Sequence, residues 1–371
     1  MSKRNPALFK TLDYYLGIPL IFFLGLFRKK KKKPVSIERI GVLITAALGD
    51  TTLLTAMLQD LKEAYPKAHL TIFSGESNAP LLPHLPSVDE RVILPIKSPL
   101  KAIGKLSSYP LDVLIDAGSW PRINSLLTLS SSALWTIGFK TPGQGRHFGY
   151  DSIVLHRKDL HEVDNYRRLL SPLNITRNHP PKLLLTTRYH MEKPFVIFHL
   201  FATSYKPELR EWPFKYWQEI LGASPYPVYL TGSRHDIEKN ETFMAFCGYP
   251  ENLYNLAGKT TLAESLSILS EAEYVISINT GVMHMAAALE TPVIGLSGPA
   301  PIHRWGALGP HSINLAPDVE GVGCLNLGFD FPKKCVDTMP SLVPSKVLAA
   351  LQTNSFQEKV LRRPLVKSCN P

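Results

Sequence analysis

Asp50 stands where an apolar stretch, residues 40–46, breaks into Ala47, Leu48 and Gly49 before a run of helix formers, residues 51–65. A carboxylate at such a junction lies at the carboxyl edge of a sheet, where open α/β sheets bind ligands. There it can take the proton of a hydroxyl that attacks an electrophile, worth typically about 10²–10⁴-fold. It can equally cap the helix that follows. A second junction has the same form: apolar residues 274–278, then Asn279, Thr280 and Gly281, then a helical run over 282–289 carrying Met283 and His284. A helix N-terminus offers unpaired N–H groups and about half a positive charge, which suits a phosphate. Such a turn can hold a pyrophosphate and offset the charge of a leaving group; it can also be no more than a capped helix. Thr203, Ser204, Lys206 and Arg210 follow the apolar stretch 195–200. Their hydroxyls and cations suit phosphate oxygens, and Arg binds them bidentately. Trp212 and Pro213 lie just beyond, and Thr231 and Gly232 end a further apolar stretch where a base or ribose can approach. Gly49, Thr51, Arg122, His161 and Asn165 are the candidates for holding a second substrate on the first half. No Asp-x-Asp pair for a divalent ion stands out, and neither metal nor cofactor is expected.

These residues need strands and helices to hold them. Residues 40–46 have the Val/Ile/Leu density of a parallel strand buried on both faces. Residues 51–65 carry a near-helical stripe of apolar positions. Further strands are expected at 69–74, 91–94, 111–116 and 133–139, with helices at 126–134 and 161–173. Residues 174–194, rich in Pro, Thr and Arg, read as a linker. The second half repeats the alternation: strands at 195–200, 228–231, 274–278 and 292–296, helices at 214–221, 261–271, 282–289 and 344–351. Thr261 and Glu264 form a capping-box pattern. The alternation predicts two doubly wound Rossmann-like domains, 35–180 and 190–352, facing a cleft. The first would place a carboxylate there and the second a nucleotide diphosphate, which fits sugar transfer from a nucleotide sugar.

The 371 residues suit two domains. The net charge of +10 raises nucleic acid as a partner, but its distribution argues against it. Residues 1–34 hold nine of the 41 basic residues and one of the 31 acidic ones, leaving 32 and 30 in the rest. The body is nearly neutral and the excess sits on one arm. Cys247, Cys324, Cys335 and Cys369 make neither a disulfide framework nor a zinc knuckle. They read as reduced thiols.

In that arm, residues 12–27 read LDYYLGIPLIFFLGLF, followed by Arg28 and five lysines. The uncharged run is short for a spanning helix, which needs about 20 residues. Gly17 and Pro19 are expected to kink it. Six cations stand where a signal peptide would have its cleavage site. The arm reads as an uncleaved monotopic or re-entrant, membrane-associating anchor. Its aromatic residues would lie in the acyl boundary and Arg28 to Lys33 on anionic headgroups, with the body on the cytoplasmic side. Residues 353–371 form a basic tail.

Together these segments resemble glycosyltransferase family 9, the heptosyltransferases of lipopolysaccharide. The likeness spans roughly residues 39–350. It rests on the turn Leu48, Gly49, Asp50, on Thr203-Ser204 with Arg210-Glu211-Trp212-Pro213, on SINTGVMHMAAA at 277–288, and on GLSGP at 295–299. The resemblance implies a GT-B fold and inverting, metal-independent transfer from a nucleotide sugar, usually ADP-heptose. It implies that Asp50 is the general base and that Thr203, Ser204 and the turn from Thr280 to His284 contact the donor. Two positions depart from the family pattern. Arg210 stands where Lys is frequent, and Asn279 stands where Asp is usual. The expected protein is a monomer acting on a membrane glycolipid; the alternative is a GT-B protein that binds nucleotide or glycolipid without transfer.

Overall fold

The computed structural model describes residues 15, 17–45, 47–120, 122–203, 206–325, 335–353 and 356. The chain divides into two compact units, one running to Leu184 and the next beginning at Leu185. Each is built on a six-stranded, wholly parallel sheet.

The first unit contains α1 (Gly17–Leu26), β1 (Arg39–Ile44), α2 (Leu48–Ala64), β2 (His69–Ser74), β3 (Glu90–Ile93), α3 (Pro99–Ser107), β4 (Val113–Asp116), α4 (Arg122–Leu129), β5 (Trp135–Lys140), β6 (Ser152–Leu155) and α5 (Glu162–Arg168). The strand order is β3-β2-β1-β4-β5-β6. The chain winds outward from β1 in one direction and then from β4 in the other. The crevice outside the carboxyl ends of β1 and β4 is therefore the switch point, the place where such sheets bind ligands. β1 is buried from Ile40 onward and β4 throughout, as strands covered on both faces must be. Leu43, Phe73, Leu106, Leu114 and Leu127 close the core on one face.

The second unit contains β7 (Val196–His199), α6 (Phe214–Gly222), β8 (Val228–Leu230), α7 (Ile237–Phe246), β9 (Leu253–Asn255), α8 (Leu262–Glu271), β10 (Val275–Ile278), α9 (Gly281–Ala288), β11 (Val293–Leu296), α10 (Ile302–Trp305), β12 (Ser312–Leu315) and α11 (Pro344–Leu351). Its order, β12-β11-β10-β7-β8-β9, repeats the first topology, and the switch point falls between β7 and β10. Phe198, Trp217, Phe243, Ile276 and Leu296 share its core. The capping box holds: Thr261 Oγ1 accepts from Glu264 N, and the Glu264 carboxylate accepts from Thr261 N.

Several expectations are corrected. α2 begins at Leu48, so Asp50 sits inside its first turn and is not the residue preceding it. Pro19 lies within the first turn of α1, where a missing N–H costs nothing, and the helix continues past it. α3, α7, β6, β9 and β12 form in stretches left unassigned by pattern. Cys324 and Cys335 are not separate thiols but a disulfide, with Cα atoms 5.7 Å apart. Gly321, at φ +91°, brings the chain so close to Val336, next to Cys335, that a Cβ there would stand 2.5 Å from its methyl group. Cys247 is the one free cysteine among the described residues. Ser204, Cys369, residues 1–14 of the arm and nearly all of the 353–371 tail lie outside the described residues.

Candidate functional site

At the first switch point, β1 runs through Thr45 into α2, whose N-cap is Ala47 in extended conformation with no side-chain cap. Asp50 is the third residue of the helix and is half-buried. A carboxylate in a first turn is favoured in its charged form by the helix dipole. Tyr166 Oη of α5 donates to Asp50 Oδ1 at 3.5 Å. α5 is in turn fixed from beneath. His161 caps it, accepting from Val163 N at 3.2 Å. Buried Glu162 lies 3.0 Å from His156 Nε2, and His156 Nδ1 lies 3.1 Å from Thr141 Oγ1. Asn165 is buried and clasps the backbone of Arg157 on both sides, at 2.9 and 2.8 Å.

A second polar group braces the same edge. Asp116, at the end of β4, accepts from Arg146 Nη2 at 2.6 Å, Tyr150 Oη at 2.5 Å and Gly118 N at 2.9 Å. Asn124 donates to Asp116 at 3.3 Å and accepts from Thr45 Oγ1 at 2.7 Å, so the network reaches the β1–α2 connection. Asp116, Arg146, Tyr150 and Asn124 are all essentially without exposed surface. Removing one partner of such a buried ion pair leaves an uncompensated charge, at a cost of about 3–5 kcal/mol. Sequence patterning gave no sign of this network beyond a lone Asp at a strand end.

Other first-unit candidates turn inward. Thr51 Oγ1 donates to Ala47 O at 3.1 Å and accepts from Asn78 Nδ2 at 2.9 Å, with no exposed surface. Arg122 is buried against Gln144, donating to its backbone and side-chain oxygens at 2.9 Å each. Gly49 stays partly exposed beside Asp50.

At the second switch point, β10 ends at Ile278 and α9 opens at Gly281, with Thr280 as an extended N-cap that makes no side-chain cap bond. The first N–H groups of a helix have no partner within it, and the Thr280 side chain does not cap those of α9. Arg210 is buried and donates through Nη2 to the Asn279 carbonyl. Burial draws its pKa down to about 10, which leaves it charged at neutral pH. Asn279 faces inward: its amide donates to Ser297 Oγ at 3.0 Å and to Trp305 O at 2.9 Å. His284 is buried one turn into the helix, and Met283 is fully buried. Gly295 of β11 lies so close to Met283 that a Cβ would stand 2.5 Å from its sulfur. Trp212 is a core residue whose Nε1 donates to Leu342 O at 2.7 Å. Thr203 is exposed beyond β7, and Lys206 takes a left-handed conformation ahead of Arg210. Thr231 is half-buried, and Gly232 packs against Asp236 with no room for a side chain. His199, absent from the expected set, ends β7 within 3.1 Å of Thr231 Oγ1. Burial pulls its pKa down to about 4. Its signal was a lone polar residue inside the apolar run VIFHL, residues 196–200.

The family model of glycosyltransferase family 9 (heptosyltransferase) matches residues 135–325, just over half of the chain. The chain belongs to glycosyltransferase family 9. Its matched region covers β5 to the Cys324 loop and so includes the whole second switch point. Lipopolysaccharide core heptosyltransferase OpsX of Haemophilus influenzae is 24% identical over 279 residues, 70% of this chain and 78% of the relative. Lipopolysaccharide heptosyltransferase 2 of Escherichia coli is 23% identical over 350 residues, 86% of this chain and 99% of the relative. The solved structure of E. coli ADP-heptose LPS heptosyltransferase II superposes with a TM-score of 0.71 at 20% identity, covering 86% of this chain and 99% of that one. The two-sheet architecture of this family 9 chain is the GT-B fold.

Proposed function

We propose that this chain is an inverting heptosyltransferase that moves heptose from ADP-heptose onto a glycolipid acceptor of the lipopolysaccharide core, at the cytoplasmic face of the bacterial inner membrane. One observation carries the reading. A half-buried carboxylate occupies the first helical turn at one switch point, and a helix N-terminus with a buried guanidinium occupies the other. The sugar and the nucleotide follow from the names of the relatives.

In this reading Asp50 accepts the proton of the acceptor hydroxyl as that oxygen attacks the anomeric carbon. The bond from that carbon to the diphosphate breaks on the opposite face, and the diphosphate leaves with the electron pair. One displacement inverts the configuration. The α9 N-terminus and Arg210 both bring positive charge to the turn at Asn279 and Thr280, which stabilises the departing diphosphate without a divalent ion. Asn279, with its amide committed to Ser297 and Trp305, shapes that turn. Thr203, Thr231 and His199 line the edge where the nucleoside binds.

The test is a donor panel of ADP-heptose with UDP-, GDP- and CMP-sugars, a lipid-A-core acceptor and EDTA, run on wild type beside Asp50→Asn. The expected outcome is transfer from ADP-heptose that falls at least about 10²-fold in the variant while ADP binding is kept. A variant that retains more than about a tenth of the activity overturns the role of Asp50. Nucleotide binding without turnover from any donor points instead to a GT-B protein that binds and does not transfer.

A further inference from the structure

α1 is apolar around its circumference but is docked on the first unit by one face only. The inward face is Ile18, Ile21, Gly25 and Arg28, at helical spacing. Ile21 is fully buried. A Cβ on Gly25 would stand 2.4 Å from the Phe148 carbonyl, and one on Gly145 would stand 2.8 Å from the Ile18 methyl, so two glycines form the seat. Just past the helix, Arg28 locks it. Nη1 donates to Gly149 O at 2.7 Å, and Nη2 donates to Asp151 Oδ2 at 2.9 Å. The Asp151 side chain has no exposed surface.

The outward face is Leu20, Phe23, Leu24 and Phe27, spaced i, i+3, i+4, i+7, with 47–84% of each residue exposed. Phe148, from the body of the unit, is 38% exposed and continues this face through Phe22, whose ring meets it edge-on at 4.9 Å. Lys29, Lys30 and Lys32 are exposed beside it. His147, next to Phe148, is held below its ordinary pKa by burial and by the positive charges of Lys140 and Lys30. No helix among the described residues is long and apolar enough to cross a membrane. A ten-residue helix is about 15 Å long and offers far less than the roughly 800 Å² per partner of a stable protein interface. Its cations would also repel a second copy. An apolar face rimmed by lysines fits an interface between water and acyl chains.

We infer that α1 and Phe148 form one rigid docking face whose partner is a bilayer bearing anionic headgroups, with the helix clamped to the body and not a flexible tether. Phe148 and the Arg28–Asp151 pair are what distinguish the two arrangements: a tether would bind through the arm alone. The face would hold the first unit, and Asp50 with it, in one orientation to the bilayer. Vesicle binding is measured without any sugar donor, so it stands apart from the catalytic reading.

The experiment is flotation of the full-length protein with vesicles of phosphatidylglycerol and phosphatidylethanolamine, and in parallel with phosphatidylcholine alone. Wild type should float with the anionic vesicles and lose binding in high salt. Phe23→Ser/Phe27→Ser should cut the partition coefficient at least about tenfold. Lys29→Gln/Lys30→Gln/Lys32→Gln should cut it by about 10²-fold, roughly fivefold per lysine. Phe148→Ser should cut it several-fold although it lies outside the arm. Unchanged melting temperatures for these surface variants keep misfolding out of the comparison. Wild-type flotation of the Phe23/Phe27 variant, or equal binding to phosphatidylcholine, overturns the proposal. An unaffected Phe148→Ser overturns the rigid face. A solution dimer that the Phe23/Phe27 variant dissociates assigns the face to a second copy and overturns the bilayer.

Discussion

His199 shows how one side chain ties the second switch point to pH. It is 7% exposed, and burial brings its pKa to about 4. In the unfolded chain an unperturbed histidine titrates near 6.5. Between those values the unfolded state binds more protons than the folded one, so unfolding becomes easier as pH falls. Stability from neutral His199 is complete above about pH 6.5 and is lost progressively toward pH 4. Urea midpoints at pH 7.5, 6 and 5 should therefore decline in wild type and decline less in His199→Asn; equal slopes would remove His199 as a source of the acid sensitivity. Asp50 and Thr280 were legible in position as residues that follow the ends of β1 and β10, and Arg210 as a cation on the longer segment after β7. Directions were not. Thr51 is one residue from Asp50, about 100° around the same helix, and that rotation turns it onto Asn78 and away from solvent. Arg122, Asn165, Trp212, Met283 and Asn279 are likewise the inward supports of their turns, and only tertiary partners reveal that.

At the scale of elements, the long apolar strands declared themselves, because a parallel strand covered on both faces is a continuous Val/Ile/Leu run. The short edge strands did not. β6 alternates exposed and buried residues over only four positions, and β12 is half-buried throughout. α7 buries only Asn240 and Phe243, too little for a clear stripe. The start of α2 was displaced by three residues because Leu48-Gly49-Asp50 reads as a turn, whereas Ala47 already serves as N-cap. The opening of α9 depends on a contact no pattern carries, the bond from Arg210 to the Asn279 carbonyl. A guanidinium can hold that carbonyl and still present donors elsewhere, while an ammonium is a point charge. Arg210→Met should weaken ADP binding by about 10²-fold in calorimetry and also lower the melting temperature, since it takes the Arg210 donor from the Asn279 carbonyl, at a cost of about 1–3 kcal/mol. Arg210→Lys should lose less than about tenfold, because the charge remains. Equal losses in the two variants would mean that the hydrogen bond to Asn279, not the charge, sets nucleotide affinity.

At the scale of the molecule, the segment read as a linker is only partly one. Residues 175–184 form no regular element yet are strapped along α2. Asp60, fully buried, accepts from His179 N at 3.0 Å, lies 2.8 Å from His179 Nδ1 and accepts from Arg167 Nε at 3.3 Å. Lys182 N donates to Thr55 Oγ1 at 2.9 Å, and Leu184 N donates to His84 O at 2.8 Å. The second unit takes hold of the chain at Tyr189, whose N–H donates to Ser267 Oγ at 2.8 Å. The stretch between these anchors, which includes exposed Arg188, has the least to lose on local opening, and proteases cut where backbone opens at low cost. Brief trypsin treatment followed by mass spectrometry should therefore show cleavage after Arg188 before cleavage after Arg177 or Lys182. Asp60→Asn keeps the volume but takes away the charge that His179 and Arg167 share, so it should expose Arg177 while Lys182, still tied to Thr55, stays protected. Cleavage after Arg177 in wild type at the rate seen after Arg188 would show that Asp60 does not fasten the segment, and that the connector is free from residue 175 onward.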